Sequence, residues 1–211
     1  MSRELVTNAR RIVIKIGTRV LTENDNTLSY STLRPIVQQV SSLVKGQRDF
    51  IIVTSGAIAL GLNRAGLQKR PRDLRLLQAA AAMGQSRLMH AYEDEFSCCS
   101  HETAQILLTY EDIQNRKRYI NIRNTIFSLW SFGVIPIVNE NDSVSFSEIR
   151  FGDNDLLAAH LSSMMDADIL IILTDTEGVY TADPRVDPQA KVIYEIKSIS
   201  SRVKGLAGPR G

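Results

Sequence analysis

Short apolar runs alternate with longer segments of helical periodicity along this chain. Between the apolar runs, nonpolar residues recur with the spacing of amphipathic helices in Ser31–Lys45, Asp73–Met83, Gln85–Phe96, Arg116–Phe132 and Asn154–Met165. Strand–helix alternation predicts parallel crossovers, and runs that are apolar at nearly every position suit strands covered on both faces. The pattern therefore predicts an α/β fold, a three-layer α/β/α sandwich with a mainly parallel central sheet. The five predicted strands are Arg11–Ile16, Asp49–Val53, Thr103–Leu108, Val134–Val138 and Asp168–Leu173.

Two features depart from this regular pattern. Pro136 lies inside the fourth predicted strand and, because proline cannot donate to a sheet ladder, it favours an edge strand or an irregularity there. The segment Lys197–Gly211 is rich in Ser, Gly and Lys without periodicity, and we expect a loop. All of residues 1–211 are assigned to one domain.

Composition and charge exclude several classes of function. A net charge of +2 gives no overall field that would hold nucleic acid or an anionic membrane, so a phosphate ligand requires a local site. No apolar stretch reaches the roughly 18 residues of a transmembrane helix, and the amino terminus lacks the apolar block of a signal peptide. The adjacent Cys98 and Cys99 make a poor disulfide, and the scattered histidines have no metal-ligand spacing. We expect a cytoplasmic protein without a histidine–cysteine metal site.

Candidate chemistry lies where predicted strands end. Lys15 is followed by Gly17 and Thr18, a bend at which backbone N–H groups approach an anion closely and lysine adds a compact charge. Taken alone, a lysine at a strand end is expected to be solvated and to bury little. The second strand runs into Thr54–Ala57 (TSGA) and then a helix, a geometry that binds carboxylates or phosphates. The alternative is that Ser55 only caps this helix.

A polar, acidic loop, Asn139–Asp155, joins the fourth strand to the next helix. Asn139–Asp142 (NEND) and Gly152–Asp155 (GDND) lie at its two ends. Asn, Asp and Gly are ordinary turn formers, and Asp153 or Asp155 could cap the following helix. However, a loop this long in a compact domain is typically functional or disordered. Its carboxylates and amides suit a substrate that carries an ammonium group, or a network that orients catalytic lysines.

The order of these motifs resembles that of the glutamate 5-kinases in the amino acid kinase superfamily. The similarity runs from Arg11 to about Ile196 through KIGT, VTSGAIALG, AAAMGQSRLM, IPIVNENDSV, EIRFGDNDLLAAHLS and LTDTEGVYTADPR. It implies a cytoplasmic enzyme that uses ATP and Mg²⁺ to phosphorylate the side-chain carboxylate of glutamate, the first step of proline synthesis. It also implies a homo-oligomer and feedback inhibition by proline.

The resemblance assigns roles to eight residues. They are Lys15 at the ATP phosphates; Ser55, Asp142 and Asn154 at glutamate; Asp153 and Asp155 beside the reacting phosphate; and Thr174 and Asp175 at the nucleotide. Phosphoryl transfer asks the protein mainly to position two anions and to neutralise the charge that develops between them. Lys15, Asp153 and Asp155 are therefore the expected catalytic residues.

The sequence also departs from the family. The family's GTGGM segment with its following lysine and the frequent C-terminal PUA domain do not occur here, and Lys204 lacks the context of that lysine. We therefore expect a truncated kinase domain, rather than a divergent kinase that lacks part of its phosphate-binding site. We expect this domain to bind glutamate and to turn over slowly or not at all. Two alternatives remain open. One is a sister kinase for another small carboxylate, a carbamate or a phosphate, and the other is a catalytically inactive module that senses glutamate or proline.

Overall fold

The computed structural model describes residues 3–145 and 154–206. The chain divides into two compact units. One unit is Ala9–Leu173, and the other consists of the chain on either side of it. Each unit is described here by itself.

A five-stranded sheet forms the centre of the unit Ala9–Leu173. Its strands are β1 (Arg11–Ile16), β2 (Asp49–Thr54), β3 (Thr103–Leu108), β4 (Ile135–Glu140) and β5 (Ile169–Leu173). The order across the sheet is β3-β4-β2-β1-β5, and every pairing is parallel. Lys15 of β1 pairs in register with Val53 of β2 and Ile172 of β5. Because all strands point the same way, their carboxyl ends meet at one edge of the sheet.

Helices cover both faces of this sheet. Those of this unit are α2 (Thr18–Leu21), α3 (Tyr30–Val44), α4 (Ala57–Arg64), α5 (Leu74–Ser97), α6 (Tyr110–Gln114), α7 (Arg116–Ser131) and α8 (Asn154–Met164). The prediction of separate helices over 73–83 and 85–96 is wrong, since α5 runs unbroken through Gly84. Of the helices described, none is both long and apolar enough to cross a membrane.

The core lies in two layers, one on each face of the sheet. Alternate residues of the strands face opposite layers, as strand geometry requires. Ile14 and Ile52 pack with α3 and α5, where Leu33 and Tyr92 are fully buried. Their neighbours in sequence pack instead with α7 and α8, in a cluster that contains Val13, Ile51, Val53, Ile126, Val138, Leu157 and Leu161. The predicted three-layer α/β/α fold is confirmed.

Gly84 allows α5 to cross α4 at very short range. A Cβ atom at this position would lie 1.8 Å from the carbonyl oxygen of Ala57, far inside any real contact. The missing side chain lets the two helix backbones touch at the first residue of α4. The close crossing fixes the start of α4 against α5.

Two predictions of local structure need correction. β4 is an interior strand although it contains Pro136. Its register with β2 begins only at Ile137, so the proline lies where only β3 flanks the strand.

The second correction concerns the segment beyond Lys197, which was predicted to be a loop. It contains the helix α9 (Ser201–Leu206) within the second unit. The hydroxyl of Ser200 accepts from Val203 N at 3.3 Å, and its carbonyl accepts from Lys204 N at 3.0 Å. A serine that starts a helix in this way is easily taken for part of a polar loop. The same unit contains α1 (Arg3–Asn8) and an antiparallel bridge between Tyr180 and Val192.

Candidate functional site

A cavity of about 210 Å³ lies at the carboxyl edge of the sheet in the unit Ala9–Leu173. Ser55, Asp142 and Asn154, which the sequence predicts to bind substrate, all contribute to its lining. They come from the end of β2, the turn after β4 and the start of α8. The parallel sheet thus brings together three residues that are up to 99 positions apart, as the hydrogen bond between Asn154 and Ser55 records.

The side-chain amide nitrogen of Asn154 lies within hydrogen-bonding distance of three oxygen atoms. Its Nδ2 lies 2.6 Å from the carbonyl oxygen of Thr54, 2.9 Å from Oγ of Ser55 and 2.9 Å from Oδ1 of Asn139. An amide nitrogen has only two protons for these three oxygens, so its donor capacity is fully engaged by the protein. With the nitrogen directed at the sheet, the carbonyl oxygen of the same amide is the group available to a ligand.

Thr54, whose carbonyl accepts from Asn154, is itself fixed in the protein core. It is fully buried, and its hydroxyl lies 3.0 Å from the hydroxyl of Tyr92 in α5. Burial raises the pKa of the Tyr92 phenol, so the group stays protonated and remains a neutral hydrogen-bonding partner. The backbone that presents an acceptor to Asn154 is therefore tied to the core.

The start of α4 forms one wall of the cavity. Gly56 precedes the helix with φ at +103°, a left-handed conformation that side chains disfavour. No side chain caps this helix, so the alternative that Ser55 is its capping serine is wrong. Ala57, Ile58 and Ala59 line the cavity, and the first N–H groups of a helix have no intrahelical acceptor. This wall suits an anionic group of a ligand.

Lys15 and Asp155 form an ion pair on the sheet side of α8. The Lys15 ammonium lies 2.6 Å from Oδ1 of Asp155. The Asp155 side chain is 42% exposed, whereas Lys15 as a residue is only 5% exposed. The expectation of a solvated lysine that buries little is therefore wrong, because Lys15 lies on an interior strand and its ammonium contacts Asp155 of α8. The pair combines a buried cation with an accessible carboxylate.

The turn after β4 carries the acidic side of the cavity. Glu140 is largely buried, and with Asp142 it lines the cavity. Asn141 fixes the turn: its N–H donates to Leu108 O at 2.8 Å, and its carbonyl accepts from Ser145 N at 3.1 Å. The two carboxylates face a cavity that also contains Arg70 in its lining. Positive and negative groups on different walls suit a zwitterionic ligand.

Three of the residues predicted from the sequence lie outside the described part of the unit Ala9–Leu173. Asp153 lies outside the described residues. Thr174 and Asp175 belong to the second unit, where the Thr174 hydroxyl donates to Oδ1 of Asp175 at 3.3 Å. In the part of the chain that is described, no cluster of three or more His, Cys, Asp or Glu residues is arranged to hold a metal ion.

Several further residues of the site had no role assigned from the sequence. Asn139 and Glu140 belong to the NEND motif, but a strand-end pattern alone did not separate their roles from that of Asp142. Gln85 lies within the AAAMGQSRLM motif, and only the path of α5 brings it to Asn139. Arg70 lies in an irregular stretch between α4 and α5 that gave no signal at all.

Comparison with known proteins identifies the family of this chain. Residues 10–203 match the amino acid kinase family. The chain belongs to that family.

Its relatives include proteins named glutamate 5-kinase. The one from Geobacter metallireducens is 46% identical over 211 residues, which is 100% of this chain and 57% of that protein. The one from Geobacter sulfurreducens is 48% identical with the same coverage, and the one from Aromatoleum aromaticum is 46% identical over 209 residues. The predicted resemblance to glutamate 5-kinases is confirmed. This chain spans 57% of the length of the two Geobacter relatives.

Solved structures agree with the fold. An isopentenyl phosphate kinase matches with a TM-score of 0.61 at 19% identity, over 93% of this chain and 82% of that one. The aspartate kinase from Synechocystis matches with a TM-score of 0.56 at 18% identity, over 88% of this chain and 32% of that one. At such identities the matches show a shared architecture only.

Proposed function

We propose that this chain is the glutamate-binding and phosphoryl-transfer part of a glutamate 5-kinase. The observation that carries the proposal is the cavity in which Ser55, Asp142 and Asn154 meet beside the Lys15–Asp155 ion pair. The names of relatives at 46 to 48% identity support the same activity. The reaction transfers the γ-phosphoryl group of ATP to the side-chain carboxylate of glutamate.

The walls of the cavity match the two ends of an amino acid. We assign the substrate ammonium to the acidic turn, where Asp142 supplies the accessible carboxylate and Glu140 adds negative charge. The carbonyl oxygen of Asn154 is a second acceptor for the same group. A substrate carboxylate is assigned to the first N–H groups of α4, where the positive end of the helix dipole favours an anion.

Lys15 and Asp155 are assigned to the reacting phosphate. A carboxylate oxygen of glutamate attacks the γ-phosphorus while the bond to the β–γ bridging oxygen breaks, and ADP leaves with that electron pair. No proton has to move, so the main requirement is neutralisation of charge on the transferred group. Lys15 supplies a fixed positive charge there, held in place by Asp155 until phosphates arrive.

Mg²⁺ fits the residues at this edge. Kinases bind this ion through one or two carboxylates together with phosphate oxygens, and Asp155 offers a partly exposed carboxylate beside the proposed phosphate position. Asp155, with Asp153 from the sequence prediction, would hold the ion, which supplies further positive charge to the phosphates. Asp155 then has two tasks, orienting Lys15 and contributing to the metal.

The remaining assignments follow the resemblance. Thr174 and Asp175 are proposed to contact the nucleotide, proline is proposed as a feedback inhibitor, and the chain is proposed to form a homo-oligomer in the cytoplasm. A sister kinase for another small carboxylate, a carbamate or a phosphate is the competing proposal. A phosphate substrate is less well supported, because it would gain nothing from the acidic turn that Glu140 and Asp142 form.

Calorimetric titration with glutamate tests the proposal without requiring turnover. We expect binding of glutamate, weaker binding of aspartate, and little binding of glutamine, whose side chain carries no charge. Phosphoryl transfer is measured in parallel with ATP and Mg²⁺ by trapping the acyl phosphate with hydroxylamine. Absence of glutamate binding, or equal affinity for glutamate and glutamine, would contradict the proposal.

Asp142→Asn tests whether the charge of Asp142 holds the ammonium group of the substrate. This variant keeps the size of the side chain and removes its charge. We expect weaker binding of glutamate and no change in thermal stability, because Asp142 lies in the turn that Asn141 holds. A variant that binds glutamate as the parent does would remove Asp142 from the assigned role.

A further inference from the structure

Gln85 is connected to Asn154 through a chain of side-chain amides that crosses the sheet edge. Asn139 is 2% exposed, and its Nδ2 donates to Oε1 of Gln85 at 2.8 Å. Oδ1 of Asn139 accepts from Nδ2 of Asn154 and from the backbone N–H of Glu140, each at 2.9 Å. Gln85, itself 8% exposed, donates in turn to Oε1 of Gln105 at 3.4 Å. Four elements, α5, β3, β4 and α8, are joined by these contacts.

An asparagine amide has two orientations that differ only by exchange of its oxygen and nitrogen. Asn139 must direct its oxygen toward Asn154, because a nitrogen there would face the Asn154 amide nitrogen, donor against donor. Oε1 of Gln85 accepts a hydrogen bond from the Asn139 amide nitrogen. This contact favours the orientation in which the Asn139 nitrogen faces Gln85 and the Asn139 oxygen faces Asn154. The Asn139 oxygen acts together with the Thr54 carbonyl to hold the Asn154 nitrogen on the sheet side, which leaves the Asn154 oxygen toward the cavity.

We propose that Gln85 is a positioning residue for Asn154, acting through Asn139 to orient the amide that receives the substrate. This inference rests on the proposed assignment of Asn154 to glutamate. The contact of α5 with α4 at Gly84, one residue before Gln85, holds the helix at the distance this relay requires. A merely structural glutamine would contribute to folding without any specific coupling to Asn139.

A direct contact between Gln85 and substrate is the main competing explanation. Gln85 lines a second cavity of about 280 Å³, which shares Ala57, Glu140 and Asp142 with the first. The two explanations differ in how the effects of mutations combine. A residue that acts through Asn139 loses its effect when Asn139 is removed, whereas one that touches the ligand retains it.

A double-mutant cycle on the full chain separates these cases. Gln85→Met keeps the size and removes the acceptor, and we expect about a 3- to 10-fold loss of glutamate affinity by calorimetry, in line with one net hydrogen bond. In the Asn139→Ala background, the same change should alter the affinity less than 2-fold. Gln39→Met, a change at an exposed glutamine of α3, serves as the control and should leave glutamate affinity unchanged. Additive effects of the two substitutions would overturn the inference.

A second measurement needs no ligand. The side-chain amide signal of Asn154, identified by its loss in Asn154→Ala, should show slow proton exchange in the parent and about 3- to 10-fold faster exchange in Gln85→Met. Gln85→Glu keeps an oxygen acceptor for Asn139 and should retain the slow exchange, even if Gln85→Met does not fold. Unchanged exchange in Gln85→Met, or fast exchange in Gln85→Glu, would refute the relay. If the parent binds no glutamate but the exchange pattern holds, the proposed function fails and the positioning of Asn154 by Gln85 stands.

Discussion

Replacing Asn154 by aspartate exchanges a hydrogen-bond donor for an acceptor at the position in the site that contacts three oxygen atoms. Asn154→Asp preserves shape but replaces the donor nitrogen with an oxygen that faces three acceptors, the nearest at 2.6 Å. The hydroxyl of Ser55 can rotate to donate. The carbonyl of Thr54 cannot, and the oxygen of Asn139 already accepts from Glu140 N.

The magnitude follows from counting these partners. Two neutral hydrogen bonds are lost at about 1 kcal/mol each, and the carboxylate also meets two oxygens that it repels. Protonation of the new carboxyl relieves that repulsion. Holding it protonated at neutral pH, from an ordinary pKa near 4, costs about 4 kcal/mol, which is an upper bound. We therefore expect Asn154→Asp to lower the free energy of unfolding by about 2 to 4 kcal/mol at pH 7.

The dependence on pH distinguishes charge from simple loss of contacts. The folded-state pKa of the introduced carboxyl should lie above its unfolded-state value, because acceptor oxygens disfavour the charged form. The penalty is then absent below the unfolded pKa, and it increases as the pH rises through the interval between the two values. Asn154→Asp should therefore approach the stability of the parent at pH 4 and fall furthest behind it near pH 7.

Urea unfolding at three pH values, with Asn154→Ala as the control, measures this difference. The alanine variant loses the same bonds without adding charge, so its deficit of about 1 to 2 kcal/mol should not change with pH. If Asn154→Asp and Asn154→Ala lose equal stability at every pH, the three-acceptor environment around the amide does not exist as described.

Four further outcomes follow from other parts of the structure. Lys15→Met should reduce phosphoryl transfer by about 10²-fold or more, and a loss below 5-fold in the hydroxylamine assay would remove it from the phosphate site. Asp142→Ala should weaken glutamate binding more than nucleotide binding in paired titrations, and equal losses would mean that the turn has collapsed. Gly84→Ala should lower the free energy of unfolding by more than 3 kcal/mol, because a methyl group cannot fit against Ala57 O. The Asp168 carboxylate accepts from two backbone N–H groups that hold its pKa below the usual value, so its contribution is present above the unfolded pKa and is lost as the pH falls. Asp168→Asn should therefore differ from the parent most near pH 7 and least near pH 3 in urea unfolding.

The pattern of apolar residues was sufficient to predict the sheet and most of its helices. The strand Asp49–Thr54 is apolar and buried from Phe50 to Val53 because helices cover both faces, and that requirement is visible without any tertiary information. The same pattern could not show that 73–83 and 85–96 are one helix. Gly84 interrupts the periodicity in sequence, and only the crossing with α4 explains why a glycine is needed there.

The ends of the strands also predicted the edge at which the candidate site lies. Parallel strands bring their carboxyl ends to one edge, so the turns that follow Lys15 and contain Ser55 were expected to bind a ligand there. Motif resemblance assigned roles to Ser55 and Asp142. The cavity walls, with Glu140 on one side and the start of α4 on another, support the roles that we propose for these residues.

What the tertiary structure decided is the environment of each side chain. Lys15 was expected to be solvated, yet its place on an interior strand buries it beside Asp155. Ser55 was a possible helix cap, yet its hydroxyl oxygen accepts a hydrogen bond from Asn154, 99 residues later in the chain. Gln85 lies within a family motif, but the sequence assigned it no role. Its hydrogen bonds depend on distances and orientations between elements, whereas the pattern along the sequence records only which faces are buried. Composition and periodicity determine which faces of the strands and helices are buried. The packing of these strands and helices determines which side chains form hydrogen bonds and ion pairs with one another.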